Sequence, residues 1–158
     1  VYIFIPGNHD EEKGLMLSEV IQAYFKDDAQ VEFIISPKMR KYYQYGQCGI
    51  GFTHGDRVKL SNLKEMFANE APEIWGNTKY REIHTGDKHH LHIERGGIVT
   101  VNEMMAKEFH GVTTRITRSP SADDWYHHKH GFTGSLRGTE AYIWHKEKGL
   151  KNVVYINL

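Results

Sequence analysis

Gly7-Asn8-His9-Asp10, near the start of the chain, sets three side chains capable of hydrolytic chemistry in a row. Asn8 offers a carbonyl oxygen to a metal. His9 can act as an acid or a base beside it near neutral pH. Asp10 can orient that imidazole by accepting its second ring N–H. Gly7 permits a tight turn that a side chain would block. Pro, Gly, Asn and Asp are also the common turn formers, so an ordinary turn is the bland alternative. The apolar run Val1-Tyr2-Ile3-Phe4-Ile5 leads straight into this loop. Carboxyl ends of strands are where α/β folds carry their chemistry.

Two further segments repeat the pattern of strand followed by ligand-competent loop. Phe52-Thr53-His54-Gly55-Asp56 puts a histidine at a strand end, and a neutral imidazole there suits Zn, Mn or Fe. Alone, a His-Gly pair reads equally as a structural or surface histidine. His84-Thr85-Gly86-Asp87-Lys88-His89-His90-Leu91-His92 holds four histidines in nine residues, the densest cluster in a chain with 11. Its bland reading is a polar loop. The tail segment Asp123-Asp124-Trp125-Tyr126-His127-His128-Lys129-His130-Gly131 mixes aromatic and cationic residues that could stack a base. A packed aromatic anchor in a polar loop is the preferred reading there.

The elements that must position these loops follow from hydrophobic pattern. Residues 1–5 read as a strand buried on both faces. Residues 11–26 read as a helix with Leu15, Val20, Ile21 and Tyr24 on one face and acids in its first turn. Residues 31–35 make a short strand. Residues 41–45 and 49–53 are the arms of a hairpin around Gly46-Gln47-Cys48. A second helix spans 62–71, with Ser61 as N-cap and Pro72 beyond its end. Strands follow at 80–85, 98–101 and 112–117, and a late hairpin pairs 140–145 with 153–158. The fold class is α/β, a mixed sheet in a β-sandwich flanked by helices.

Taken together, the three motifs resemble those of the calcineurin-like metallophosphoesterases. Gly7-Asn8-His9-Asp10 is similar to that family's third motif, Gly-Asn-His-Asp/Glu, and His54-Gly55 to its fourth. Gly86-Asp87-Lys88-His89 is similar to its last, Gly-His-x-His, with Asp87 where the first His is expected. The resemblance covers residues 1 to about 100 and implies metal-dependent hydrolysis of a phosphoester, in particular a phosphodiester. It implies that Asn8, His54 and Asp87 hold one divalent ion and that His89 contributes to a second, with His90 as the alternative in a shifted register. His9, aided by Asp10, would protonate the leaving group. The ions would be Mn, Fe, Zn or Mg, with a carboxylate at 87 favouring Mn²⁺ or Mg²⁺ over Zn²⁺. The substrate would be a phosphoester or a nucleic acid. The family's first two motifs, Asp-x-His and Gly-Asp-x-x-Asp, belong ahead of Gly7, and neither lies there. The chain therefore reads as the C-terminal portion, residues 1–158, of a single metallophosphoesterase domain, weak or inactive by itself. The rival reading is a degenerate module that binds a partner or nucleic acid without catalysis, supported by Asp87 in a histidine position.

Composition narrows the rest. Lys plus Arg and Asp plus Glu both number 20, so no net basic field signals nucleic acid, although a local groove remains open. The single Cys48 excludes an internal disulfide and suits a reducing, cytoplasmic compartment. No apolar run approaches the roughly 20 residues that span a bilayer. An opening strand without its sheet neighbours would expose an apolar edge, so self-association through residues 1–5 is expected.

Overall fold

Cys48–Thr53 and Tyr80–Thr85 lie side by side and parallel in the middle of a five-stranded sheet. The computed structural model describes residues 1–86, 106–109, 111–120, 129 and 137–158. In chain order the strands are β1 (Tyr2–Ile3), β2 (Phe33–Ile34), β3 (Arg40–Tyr45), β4 (Cys48–Thr53), β5 (Tyr80–Thr85), β6 (Ala106–Phe109), β7 (Val112–Ile116), β8 (Gly138–His145) and β9 (Gly149–Asn157). The helices are α1 (Glu11–Tyr24), α2 (Leu63–Glu70) and α3 (Pro72–Asn77). The large sheet runs β3-β4-β5-β7-β6, with β4, β5 and β7 parallel and the two outer strands antiparallel. The class is α/β with a mixed sheet, as the pattern of elements predicts.

The sheet's central strands are buried along most of their length, as parallel strands covered on both faces must be. One face meets α2 and α3. Leu63, Phe67, Ile83 and Val112 form the core there, with Tyr42 stacked on Phe67 at 4.6 Å and Trp75 edge-on to it at 5.6 Å. Burying each of these large side chains contributes about 1.5–3 kcal/mol. Arg40 grips Glu70 through two nitrogens, at 2.7 and 2.9 Å, and Tyr42 donates its hydroxyl proton to the same carboxylate, fastening β3 to α2.

The other face carries two smaller units. β1 and β2 pair in parallel, Tyr2 beside Phe33 and Ile3 beside Ile34. Phe4 is buried beneath them and lies under the Lys41 ammonium of β3, 5.6 Å from its ring centre. The β8–β9 hairpin crosses β5 and β7. Its turn is tied to the turn between β3 and β4 by Gln47 N–H donating to Lys146 C=O at 2.6 Å, and Cys48 Sγ lies 3.4 Å from His145 C=O.

Several elements depart from expectation. Only Tyr2–Ile3 of the opening run is strand, and it is half-buried, with Val1 54% exposed; a two-stranded unit covers one side of it and not both. The apolar face expected on α1 is split: Leu15 and Ile21 are half-buried, Val20 is 65% and Tyr24 82% exposed, and Ser18 is buried. Small groups, Gly14 and Ser18, stand where Phe4 and Tyr2 come close. Tyr2 hydroxyl meets Ser18 Oγ at 3.0 Å, and Ser18 Oγ–H donates to Gly14 C=O at 2.8 Å. Ser61 does not cap α2: residues Leu60–Asn62 form a 3₁₀ turn that runs into the helix, and no side chain bonds its first N–H groups. Pro72 starts α3, a position where its missing N–H costs nothing. β6 was not expected, and the strand predicted at 98–101 lies outside the described residues. Among the described residues no helix is long and apolar enough to cross a membrane.

Candidate functional site

β4, β5 and β7 all end at one edge of the sheet, with Thr53 level with Thr85 and Thr85 level with Ile116. Loops leaving that edge therefore converge. The loop after β1 arrives there from the smaller parallel unit. Buried Phe4 and Pro6 anchor its start, and Asn8, His9 and Asp10 are exposed. Asp10 closes it: Oδ1 accepts Gly7 N–H at 3.0 Å, and its C=O accepts Gly14 N–H at 2.7 Å in the first turn of α1. A Cβ at Gly7 would stand 2.4 Å from Asp10 Oδ1, so a larger residue there would have to displace the carboxylate that closes the loop.

The loop after β4 is fixed more firmly. His54 C=O accepts the Gly86 N–H at 2.9 Å and the Thr85 hydroxyl at 3.1 Å, so the backbone beside the imidazole is tied to the end of β5. Gly55 has φ +101°, a conformation that side chains rarely adopt, and a Cβ on it would stand 2.0 Å from Thr85 Oγ1. The sequence thus places glycine where the chain must both bend and touch its neighbour.

These two loops bring together Asn8 and His54, 46 positions apart. His54 Nε2–H donates to Asn8 Oδ1 across 3.1 Å. Arg57 adds a second tie, donating to Glu11 Oε1 at 2.8 Å and to Asp56 Oδ2 at 3.0 Å. Such exposed pairs stabilise little, about 0–1 kcal/mol each. Their effect here is positional, because they join the first turn of α1 to the loop after β4.

No protein-family model, curated protein or solved structure matches this chain. The site's chemistry is therefore read from its own geometry. Two ligands about 2.1 Å from one ion and at right angles to each other stand about 3.0 Å apart. Asn8 Oδ1 and His54 Nε2, at 3.1 Å, already have that spacing. The donor set of amide oxygen and imidazole nitrogen suits a hard or borderline cation. Among the described residues no three His, Cys, Asp or Glu side chains gather around one point. Asp87, His89 and His90 lie outside the described residues. Gly86, directly before Asp87, is the residue bonded to His54. Asp87-Lys88-His89 also stands in Asp-x-His order, so that pattern is present in the chain, downstream of Gly7 and not ahead of it.

His84, grouped in sequence with the histidine cluster, lies apart from the Asn8–His54 pair, on the sheet face under the late hairpin. Its side chain is 8% exposed, edge-on to the Tyr142 ring at 4.4 Å, with Nε2 3.3 Å from Glu82 Oε1. Arg115 Nε donates to the same oxygen at 2.5 Å. Burial pushes the Glu82 carboxyl up, but the close His84 imidazole and the hydrogen-bonded Arg115 guanidinium outweigh it, and its pKa lies below the ordinary value. The signal for this network was the alternation of β5, in which Glu82 and His84 share one face and Ile83 and Thr85 the other. Between the hairpin and the sheet lies a cleft of about 500 Å³, lined by Ile5, Ile50, Phe52, Tyr142, Trp144 and the strand ends from Thr53 to Thr117. Sequence reasoning missed it, because it is shaped by residues up to 139 positions apart in the chain, from Ile5 to Trp144.

Proposed function

We propose that this chain forms part of a metal-dependent phosphoester hydrolase centre of the calcineurin-like class, acting on a phosphodiester. The observation that carries the reading is the 3.1 Å approach of Asn8 Oδ1 to His54 Nε2 at the carboxyl edge of the sheet, next to His9. Asn8, His54 and Asp87 would hold one divalent ion, Mn²⁺ being favoured, and His89 would contribute to a second. Ions bound there supply positive charge against the phosphate oxygens and acidify a water. His9, on the same loop as Asn8, would hand a proton to the departing oxygen, a step worth roughly 10²- to 10⁴-fold in rate for a well-placed acid. Asp10 closes that loop by accepting the Gly7 N–H. Buried, unpaired Cys48 supports a reducing, cytoplasmic setting for the reaction.

The test uses Mn²⁺ as a paramagnetic probe of inorganic phosphate. Phosphate bound next to a protein-held Mn²⁺ should show broadened ³¹P resonances with the full chain. The broadening should vanish in Asn8→Ala and His54→Ala, and His9→Ala should weaken phosphate without weakening Mn²⁺. Mn²⁺ bound with no effect on phosphate would favour the non-catalytic module. No protein-held Mn²⁺ at all would remove the hydrolase reading.

A further inference from the structure

The cleft between the β8–β9 hairpin and the large sheet begins where the Asn8–His54 pair ends, since His54 lines its rim together with Thr53, Gly86 and Thr117. Its size falls within the range of small-molecule sites, about 300–1,000 Å³. Rings dominate its walls. Phe52, His84, Tyr142 and Trp144 all line it, with His84 5.6 Å from Phe52, 4.4 Å from Tyr142 and 6.4 Å from Trp144 between ring centres. Ile5 and Ile50 complete an apolar surface.

Charge decides which part of a phosphoester fits. No lysine or arginine stands among the described residues that line the cleft. Behind the wall, Glu82 sits against His84 and takes up the charge of Arg115, which lies 5.5 Å from the centre of the Tyr142 ring. A phosphate would lose its hydration there and meet no cation among the described lining residues, which is unfavourable. An uncharged planar ring would bury its faces against other rings, a favourable stacking contact. At the rim, Thr117 Oγ1 spends its proton on Thr85 C=O at 3.2 Å, which leaves the hydroxyl oxygen as an acceptor for an amino group on a ring edge.

We infer that this cleft binds the planar aromatic ester group of the substrate, a group of nucleoside size, while the phosphate stays outside at Asn8 and His54. Only the placement of the phosphate rests on the hydrolase reading. Ring binding in the cleft stands by itself.

Adenosine, which carries no phosphate, is the probe. Titrated into the full chain without metal, it should bind saturably by calorimetry. Trp144→Ala should weaken it about tenfold, and Glu73→Ala, an exposed change on α3 outside the cleft, should leave it unchanged within twofold. Circular dichroism confirms that each variant is folded. Independently of any variant, 8-azidoadenosine irradiated with the wild-type chain should label the peptide containing Tyr142 and Trp144, and excess adenosine should suppress that label. Adenosine bound in this way by a chain that holds no Mn²⁺ would keep the cleft and remove the hydrolase reading. No saturable binding at millimolar adenosine, or label confined to other peptides, would overturn the cleft, even if Mn²⁺-dependent broadening of phosphate were intact.

Discussion

At the scale of single residues, glycine at 55 is the least replaceable. Its φ of +101° and its closeness to Thr85 Oγ1 mean that an added methyl must move the loop bearing His54. Gly55→Ala should cost about 1–3 kcal/mol, read from urea unfolding, and should weaken Mn²⁺ more than it weakens the fold. A midpoint equal to wild type would show that Thr85 and Gly86 do not hold the loop as described. His9→Ala, in contrast, should leave stability within about 0.5 kcal/mol, because the side chain is exposed. Asn8 and His54 were legible in sequence because each follows a strand end in a short motif of unusual composition. Their 3.1 Å approach was not, since it depends on where the β1–β2 unit rests on the large sheet.

At the scale of elements, β5 and β7 are joined under the hairpin by a buried polar network that composition gave no reason to expect. Glu82 and Arg115 side chains are 6% and 11% exposed, and His84 adds a second contact to the same carboxylate. Arg115→Ala leaves that carboxylate buried without its main partner and should cost about 3–5 kcal/mol. The Glu82 carboxyl is held below its ordinary 4.5 when folded. Its contribution is therefore complete above the unfolded value and is lost as pH falls through the lowered folded value. Thermal unfolding of wild type should lose ground below about pH 4.5, and Glu82→Gln should flatten that slope; identical slopes would mean the carboxylate is not the acid-labile group. The pattern of β4 was readable, since small and apolar residues fill both its faces, whereas β5 carries Glu82 and His84 on one face and Ile83 and Thr85 on the other. The orientation of α1 was not. Its apolar period suggests a core-facing Val20 and Tyr24, yet Gly14 and Ser18 are the groups small enough to meet Phe4 and Tyr2.

At the scale of the whole molecule, the outward face of α1 is the conspicuous feature. Met16, Leu17, Val20 and Tyr24 are 64%, 59%, 65% and 82% exposed and lie within three turns of one helix. An apolar patch of this kind favours association. The sequence reading expects such a contact at residues 1–5, whose β1 pairs only with β2 among the described residues; α1 offers a second exposed apolar surface. Light scattering should show particle mass rising with concentration, and the double change Leu17→Glu, Val20→Glu should keep the chain monomeric with an unaltered circular dichroism spectrum. A wild-type monomer across a wide concentration range would contradict this. A mixed α/β architecture was visible in the order of elements, whereas the layering was not: it arises from contacts such as Gln47 with Lys146, separated by most of the chain.

The loops after β1 and β4 either share an ion or merely share a hydrogen bond, and Mn²⁺ binding separates the two most directly. Calorimetric titration of Mn²⁺ into the metal-stripped chain should give a site whose affinity falls at least about tenfold in both Asn8→Ala and His54→Ala. His127→Ala and His128→Ala, in the other histidine-rich stretch, should leave it unchanged. A site indifferent to Asn8 and His54, or one lost only when His127 or His128 is removed, would contradict a metal centre at the sheet's carboxyl edge.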